Sequence, residues 1–153
     1  QWLSIGDTKL AVWQGDIRHL AVGAVVNAAN EQGLGCFQPS HRCIDNVLHR
    51  AAGPRLREEC RALMMRRGPL VAGAPPLLTA GYHLNAAHIL HVTGPALEPA
   101  GRQPRPDEQA ALAACYPGGL DAARQPRALL LLPAHAAVGA LGAQLLPHRL
   151  VGP

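Results

Sequence analysis

With 153 residues the chain is long enough for one domain with its own core and too short for a two-domain enzyme, so folding requires no disulfide or metal staple. Hydrophobic residues at 48% and charged residues at 16% exclude a disordered or low-complexity chain, because that much apolar surface offsets chain entropy. Aromatic residues amount to 3%, too few for a base-stacking platform, and the formal charge of +4, carried by Lys9 and by arginines scattered from Arg18 to Arg149, suits an anionic ligand better than a DNA-binding stripe.

Residues 1–16 read as the opening strand of a domain rather than a leader, so Cys36, Cys43, Cys60 and Cys115 are expected reduced, in a cytoplasmic setting. Residues 9–14 (KLAVWQ) have strand composition and end at Gly15-Asp16, and residues 24–27 (AVVN) form a short apolar run of the buried, parallel kind. Helical spacing starts at Ile44, with Val47, Leu48, Ala51 and Ala52, and stops at Gly53-Pro54. A second helix covers 54–67: Pro54 suits a first turn, Leu56, Cys60, Leu63 and Met64 form one stripe, charge fills the other face, and Gly68 ends it. Residues 77–79 and 89–92 read as strands joined through Gly81-Tyr82. Residues 98–106 read as a surface loop, and 107–115 as an Ala-rich helix that Pro117-Gly118-Gly119 interrupts. Residues 129–132 read as a further strand. The charge-free stretch 128–146 is long enough to raise a membrane span, but Pro133, His135, Gly139, Gly142 and Gln144 favour a buried strand followed by a glycine loop. Strands alternating with helices predict an α/β sandwich with a largely parallel sheet and a ligand site in loops at the carboxyl ends of the strands.

Polar chemistry concentrates after the second of these strands. Asn27-Ala28-Ala29-Asn30 is followed by Cys36, His41 and Cys43 in a C-x4-H-x-C spacing, then by Ile44-Asp45-Asn46 and His49. Two thiolates and an imidazole within eight residues can converge on one Zn²⁺ and leave its fourth position open, as catalytic zinc sites require. Two buried cysteines beside a surface histidine would leave the same pattern, and spacing alone does not choose.

The wider string does choose. Gly15-Asp16-Ile17, Val26-Asn27-Ala28-Ala29-Asn30, the run from Asp45 to Gly53 with its L-H-x-A-A-G, Gly81-Tyr82-His83-Leu84 and the H-x-x-G-P of 91–95 resemble the macrodomains, which bind ADP-ribose. The string G-C-F-x-P-x-H-x-C-I-D-N at 35–46 resembles, at every specified position, the zinc-dependent branch of that family linked to class M sirtuins. The resemblance implies a three-layer α/β/α macrodomain sandwich with a mixed, largely parallel central sheet. It covers 9–95 firmly and 107–116 more loosely. After about residue 117 the chain departs from the family. Residues 137–142 keep Gly139 and Gly142 of a phosphate loop but not its hydroxyls or aromatic, and 128–153 read as a divergent segment of a single, partial macrodomain whose C-terminal elements are missing.

By that resemblance the activity is zinc-dependent removal of ADP-ribose from a modified protein side chain. The substrate context is a lipoyl-carrier protein, with possible class M sirtuin association and neither a nucleic-acid nor a membrane partner. Zn²⁺ would be held by Cys36, His41 and Cys43. Asp16 would accept from the adenine amine, helped by the Ile17 amide. Asn30 would orient the distal ribose, and Asp45 would contact that ribose and assist hydrolysis. Amides around Gly33, Gly35, Gly139 and Gly142 would face the diphosphate. Asn27 and His49 are read as structural, and Cys60 and Cys115 as small buried hydrophobes. Two other outcomes stay open: a module that binds ADP-ribose without turnover, and an inactive zinc-stabilised fragment. Little turnover is expected of the 153-residue chain itself.

Overall fold

The computed structural model describes residues 2–5, 8–11, 13–97, 102–123 and 130–131. Two short strands come first, Trp2–Ile5 (β1) and Thr8–Ala11 (β2), paired antiparallel from Trp2 opposite Ala11 to Ile5 opposite Thr8 as a separate ribbon. The expected strand at 9–14 is therefore corrected at both ends. Trp13 and Gln14 lie beyond it, exposed, and the opening segment read as one strand over 1–16 holds two, β1 and β2, a division that Gly6-Asp7 signals as a two-residue hairpin connection. A single 3₁₀ turn at Ile17–His19 follows, with Asp16 as its cap.

The main sheet begins with Ala24–Ala28 (β3), buried from Ala24 through Asn27. A loop then leads to Ile44–Ala52 (α1), and Pro54–Arg67 (α2) follows directly, turned off α1 at Gly53, whose φ of 90° is open to glycine. Leu77–Ala80 (β4) and His88–Val92 (β5) complete the middle of the sheet. Pro106–Ala123 (α3) comes next, and Leu130–Leu131 (β6) last. The strand order is β4–β5–β3–β6. β3 is parallel to β5 and to β6, while β4 is antiparallel to β5, which gives the mixed, largely parallel sheet expected. α3 is longer than the reading at 107–115 and runs through Pro117-Gly118-Gly119. Proline removes one backbone donor and strains the turn before it, but the alanine-rich turns ahead are packed against β5 through buried Leu112 and Cys115, so the helix propagates.

Alternation along the strands decides what each face of the sheet carries. Val25 and Ile89 pack with Leu48 and Ala52 of α1 and Leu56 and Cys60 of α2, whereas Ala24, Val26, Leu90 and Val92 form a second cluster. Val25, Leu48, Leu56, Ile89 and Leu90 are each fully buried, worth roughly 1.5–3 kcal/mol apiece. One step on from Val25 and Ile89, the same face carries Asn27 and His91, which sit opposite each other in the β3–β5 register. The apolar core thus turns polar at the carboxyl ends of its strands. No helix among the described residues is long and apolar enough to cross a membrane. The loop with Gly139 and Gly142, and most of 128–153, lie outside the described residues.

Candidate active site

The chain leaves β3 through Asn30, whose side chain organises the loop. Its Oδ1 accepts from the Gly33 amide at 3.1 Å and its Nδ2 donates to the Gly35 carbonyl at 3.2 Å. Gly33 also donates to the Asn30 carbonyl, so its amide is engaged within the turn. Gly35 has no alternative: its φ is 87°, and a Cβ there would lie 2.7 Å from the His49 ring. Asn30 itself is exposed and keeps one N–H and one lone pair free for a ligand.

Cys36, His41 and Cys43 converge from this loop, their ligand atoms all within 4.8 Å of one another. Cys36 Sγ lies 3.4 Å from His41 Nδ1. Tetrahedral zinc bonds to sulfur and nitrogen place those two atoms about 3.6 Å apart, so the donor set fits the ion by chemistry and by spacing. The Gln38 amide and His41 lower the Cys36 thiol below its usual range. Burial raises that of Cys43, whose sulfur caps α1 by accepting from the Asn46 amide at 3.4 Å. Asn46 also donates to the Gln38 carbonyl at 2.6 Å, tying loop to helix. Cys36 and Cys43 are half-buried and His41 is exposed, which leaves the group open on one side.

Asp45, two residues into the helix that Cys43 caps, points the other way. It is 4% exposed and accepts from Asn27 Nδ2 at 2.7 Å. The same amide lies 3.1 Å from His91 Nδ1, which must therefore accept, leaving the His91 Nε2 proton for Thr79 Oγ1 at 3.0 Å. His49 Nε2 stands 3.5 Å from Asp45 Oδ1. Burial raises the Asp45 carboxyl, opposed by the Asn27 bond and by the charge of Arg57. Burial pushes His49 down to about 4 and His91 to about 3, so both rings are neutral near pH 7. His49, Cys60 and His91 form a second group of ligand-type atoms within 4.8 Å. Both nitrogens of His91 are already engaged and burial holds the Cys60 thiol up near 12, while the two His49 nitrogens are buried without a hydrogen-bond partner.

Asp16 caps the 3₁₀ turn and grips Arg18, whose backbone amide and guanidinium both bond its carboxylate, pulling its pKa far below the usual range. Oδ1 accepts from the Arg18 amide and Nε, and Oδ2 from Nε and Nη2, so a ligand amine has to compete with Arg18 for this carboxylate. A groove of about 630 Å³ is lined by Arg18 together with His41, Arg42, Asn46 and Arg50, a positive surface suited to an anion. All four cysteines are free, and Cys60 and Cys115 are buried as expected. Sequence reasoning missed Asn46, Thr79 and Arg57, and read Asn27 only as structural. Helical spacing places Asn46 beside the cap, but the contacts of Thr79 and Arg57 are set by strand and helix packing.

A strand ending in paired asparagines, a glycine loop and a buried aspartate at a helix start coincide with a match to the Macro domain model over residues 26–135. The chain belongs to the Macro domain family. This macrodomain is 49% identical over 119 residues to a Fusarium oxysporum f. sp. cubense protein named "Probable bifunctional ADP-ribose hydrolase/ADP-ribosyltransferase", covering 77% of the chain and 20% of that protein. It is 40% identical over 110 residues to a Staphylococcus aureus (strain COL) protein named "Protein-ADP-ribose hydrolase", covering 71% of the chain and 40% of that relative. The chain therefore spans well under half the length of these relatives. Among solved structures, the Oceanobacillus iheyensis macrodomain with ADP superposes with a TM-score of 0.73 at 26% identity, over 90% of this chain and 70% of that one.

Proposed function

We propose that this macrodomain is the ADP-ribose-handling part of a zinc-dependent protein ADP-ribosyl hydrolase. The observation that carries the reading is the convergence of Cys36, His41 and Cys43 on the loop that Asn30 organises and at the cap of the helix bearing Asp45. The names of the fungal and staphylococcal relatives support hydrolysis. The fungal name also couples hydrolase with transferase, which supports a partnership with an ADP-ribosylating enzyme; a class M sirtuin as that enzyme, a lipoyl-carrier substrate and a cytoplasmic setting rest on the resemblance of the 35–46 string alone.

The division of labour follows from the ligand. Asp16, in competition with Arg18, and the Ile17 amide take the adenine edge, and the backbone about Gly35 takes the diphosphate. Asn30 uses its remaining donor and acceptor to fix a ribose hydroxyl, and Asp45 fixes the ribose and assists attack at its anomeric carbon. Bound at Cys36, His41 and Cys43, Zn²⁺ supplies a Lewis acid for a ribose hydroxyl or for water. The burial of Asp45 favours a second reading, ADP-ribose binding without turnover, because a carboxylate held by Asn27 must be uncovered before it can reach a ligand.

Calorimetry with ADP-ribose, and release of ADP-ribose from a modified lipoyl-carrier protein with and without a chelator, separate these readings. Zinc-dependent release supports the hydrolase. Binding with no release by zinc-loaded protein supports the module, and release insensitive to chelator rejects the zinc mechanism.

A further inference from the structure

We infer that Arg57, on α2 and outside every motif considered above, is a positioning residue for the Cys36–His41–Cys43 group. This rests on the zinc reading just proposed. Phe37 to His41 are exposed one after another, so the loop carrying two of the three ligands has little packing of its own, and Phe37 is 64% exposed. Two tethers hold it. One is Asn46, which bonds the Gln38 carbonyl from α1. The other is Arg57, which reaches across from α2, donates from Nη2 to the Cys36 carbonyl at 3.3 Å and lays its guanidinium over the Phe37 ring, 4.5 Å from the centroid. One planar group thus fixes two consecutive residues, a backbone carbonyl and a ring face, on the first ligand and its neighbour.

The arrangement is more than surface stacking, because Arg57 Nε is buried without a hydrogen-bond partner and so shares the interior side of the loop. Arg57 therefore touches the metal loop directly, at the Cys36 carbonyl and the Phe37 ring. Groups that orient ligands in this way commonly change metal affinity ~10–100-fold when removed.

The test is zinc affinity by competition with a chromophoric chelator, alongside the melting temperature of metal-free protein, for the parent chain, Arg57→Met, Arg57→Lys and Phe37→Leu. Arg57→Met should weaken zinc ~10–100-fold with the metal-free melting temperature unchanged, Arg57→Lys should restore only part of the loss, and Phe37→Leu should weaken zinc by a smaller factor. Equal zinc affinity in parent and Arg57→Met overturns the proposal while leaving the zinc reading standing. A metal-free melting temperature that falls in Arg57→Met, with Phe37→Leu binding zinc as the parent does, assigns Arg57 to the fold and also overturns it. A folded parent chain that holds no zinc overturns the zinc reading, and this inference with it.

Discussion

Cys36, His41 and Cys43 on one side, and His49, Cys60 and His91 on the other, are two triplets of cysteine and histidine with ligand atoms within 4.8 Å of one another, yet their chemistry diverges. In the first, the thiol of Cys36 is lowered by an amide and an imidazole and the group opens to solvent. In the second, burial holds the Cys60 thiol near 12 and keeps both imidazoles neutral, while Asn27 and Thr79 already occupy His91. Residue type proposes a ligand set. Desolvation and prior hydrogen bonds decide whether the set is available.

That contrast can be broken most directly at the open triplet. Cys36→Ser combined with Cys43→Ser should reduce bound zinc from one ion per chain to none by metal analysis, with the fold intact by circular dichroism. Undiminished zinc in that double variant moves the ion to the buried triplet and reverses the comparison. The converse change, Cys60→Ala, should leave zinc content untouched.

Asp45 lies between the two groups and sharpens the comparison through catalysis. Asp45→Asn should lower ADP-ribose release ~10²–10⁴-fold in an active, zinc-loaded form with much smaller change in ADP-ribose affinity, because general acid–base assistance acts in the transition state. An equal loss in binding and rate makes Asp45 a binding group only.

At the buried group the currency is stability. His91→Leu leaves Thr79 Oγ1 without a partner and Asn27 Nδ2 with only Asp45, and should cost about 2–4 kcal/mol in urea unfolding, while zinc binding per folded chain is unchanged. Acid should find the same weakness. His49 has a folded pKa near 4 against an ordinary 6.5, so the unfolded chain binds the extra proton across that window. Stability is full above pH 6.5 and falls as pH drops toward 4, by on the order of 3 kcal/mol from this residue, read as a declining urea midpoint. Replacing His49 with Gln should reduce that slope and leave the part that His91, with a folded pKa near 3, contributes across the same window.

The smallest effect is expected at the wall between the groups. Gly35→Ala forces a left-handed backbone on a side chain that meets the His49 ring, costing ~1–3 kcal/mol by thermal unfolding.

Much of this was legible in advance. The spacing of Ile44, Val47 and Leu48, with Gly53-Pro54 after them, places α1 and α2 as they stand, since helical periodicity and punctuation are local signals. The division of the opening segment into β1 and β2 escaped because neither four-residue strand carries a long apolar run. The passage of α3 through Pro117 escaped because packing against β5 overrides a local penalty. Within the site, Cys36, His41 and Cys43 were readable as neighbours in the chain, whereas Arg57 and Thr79 reach it from 21 and 12 residues away from the groups they touch.

The sequence by itself determined α1, α2, the ligand triplet and the family string, because each depends on residues within a few turns of one another. The tertiary structure alone decided which polar groups are used up. The β3–β5 register sets Asn27 opposite His91, which fixes that imidazole's tautomer and commits the Asn27 amide to Asp45, and the crossing of α2 over the loop brings Arg57 onto Phe37. Those commitments depend on desolvation and on partners distant in sequence, which no local pattern of residues encodes.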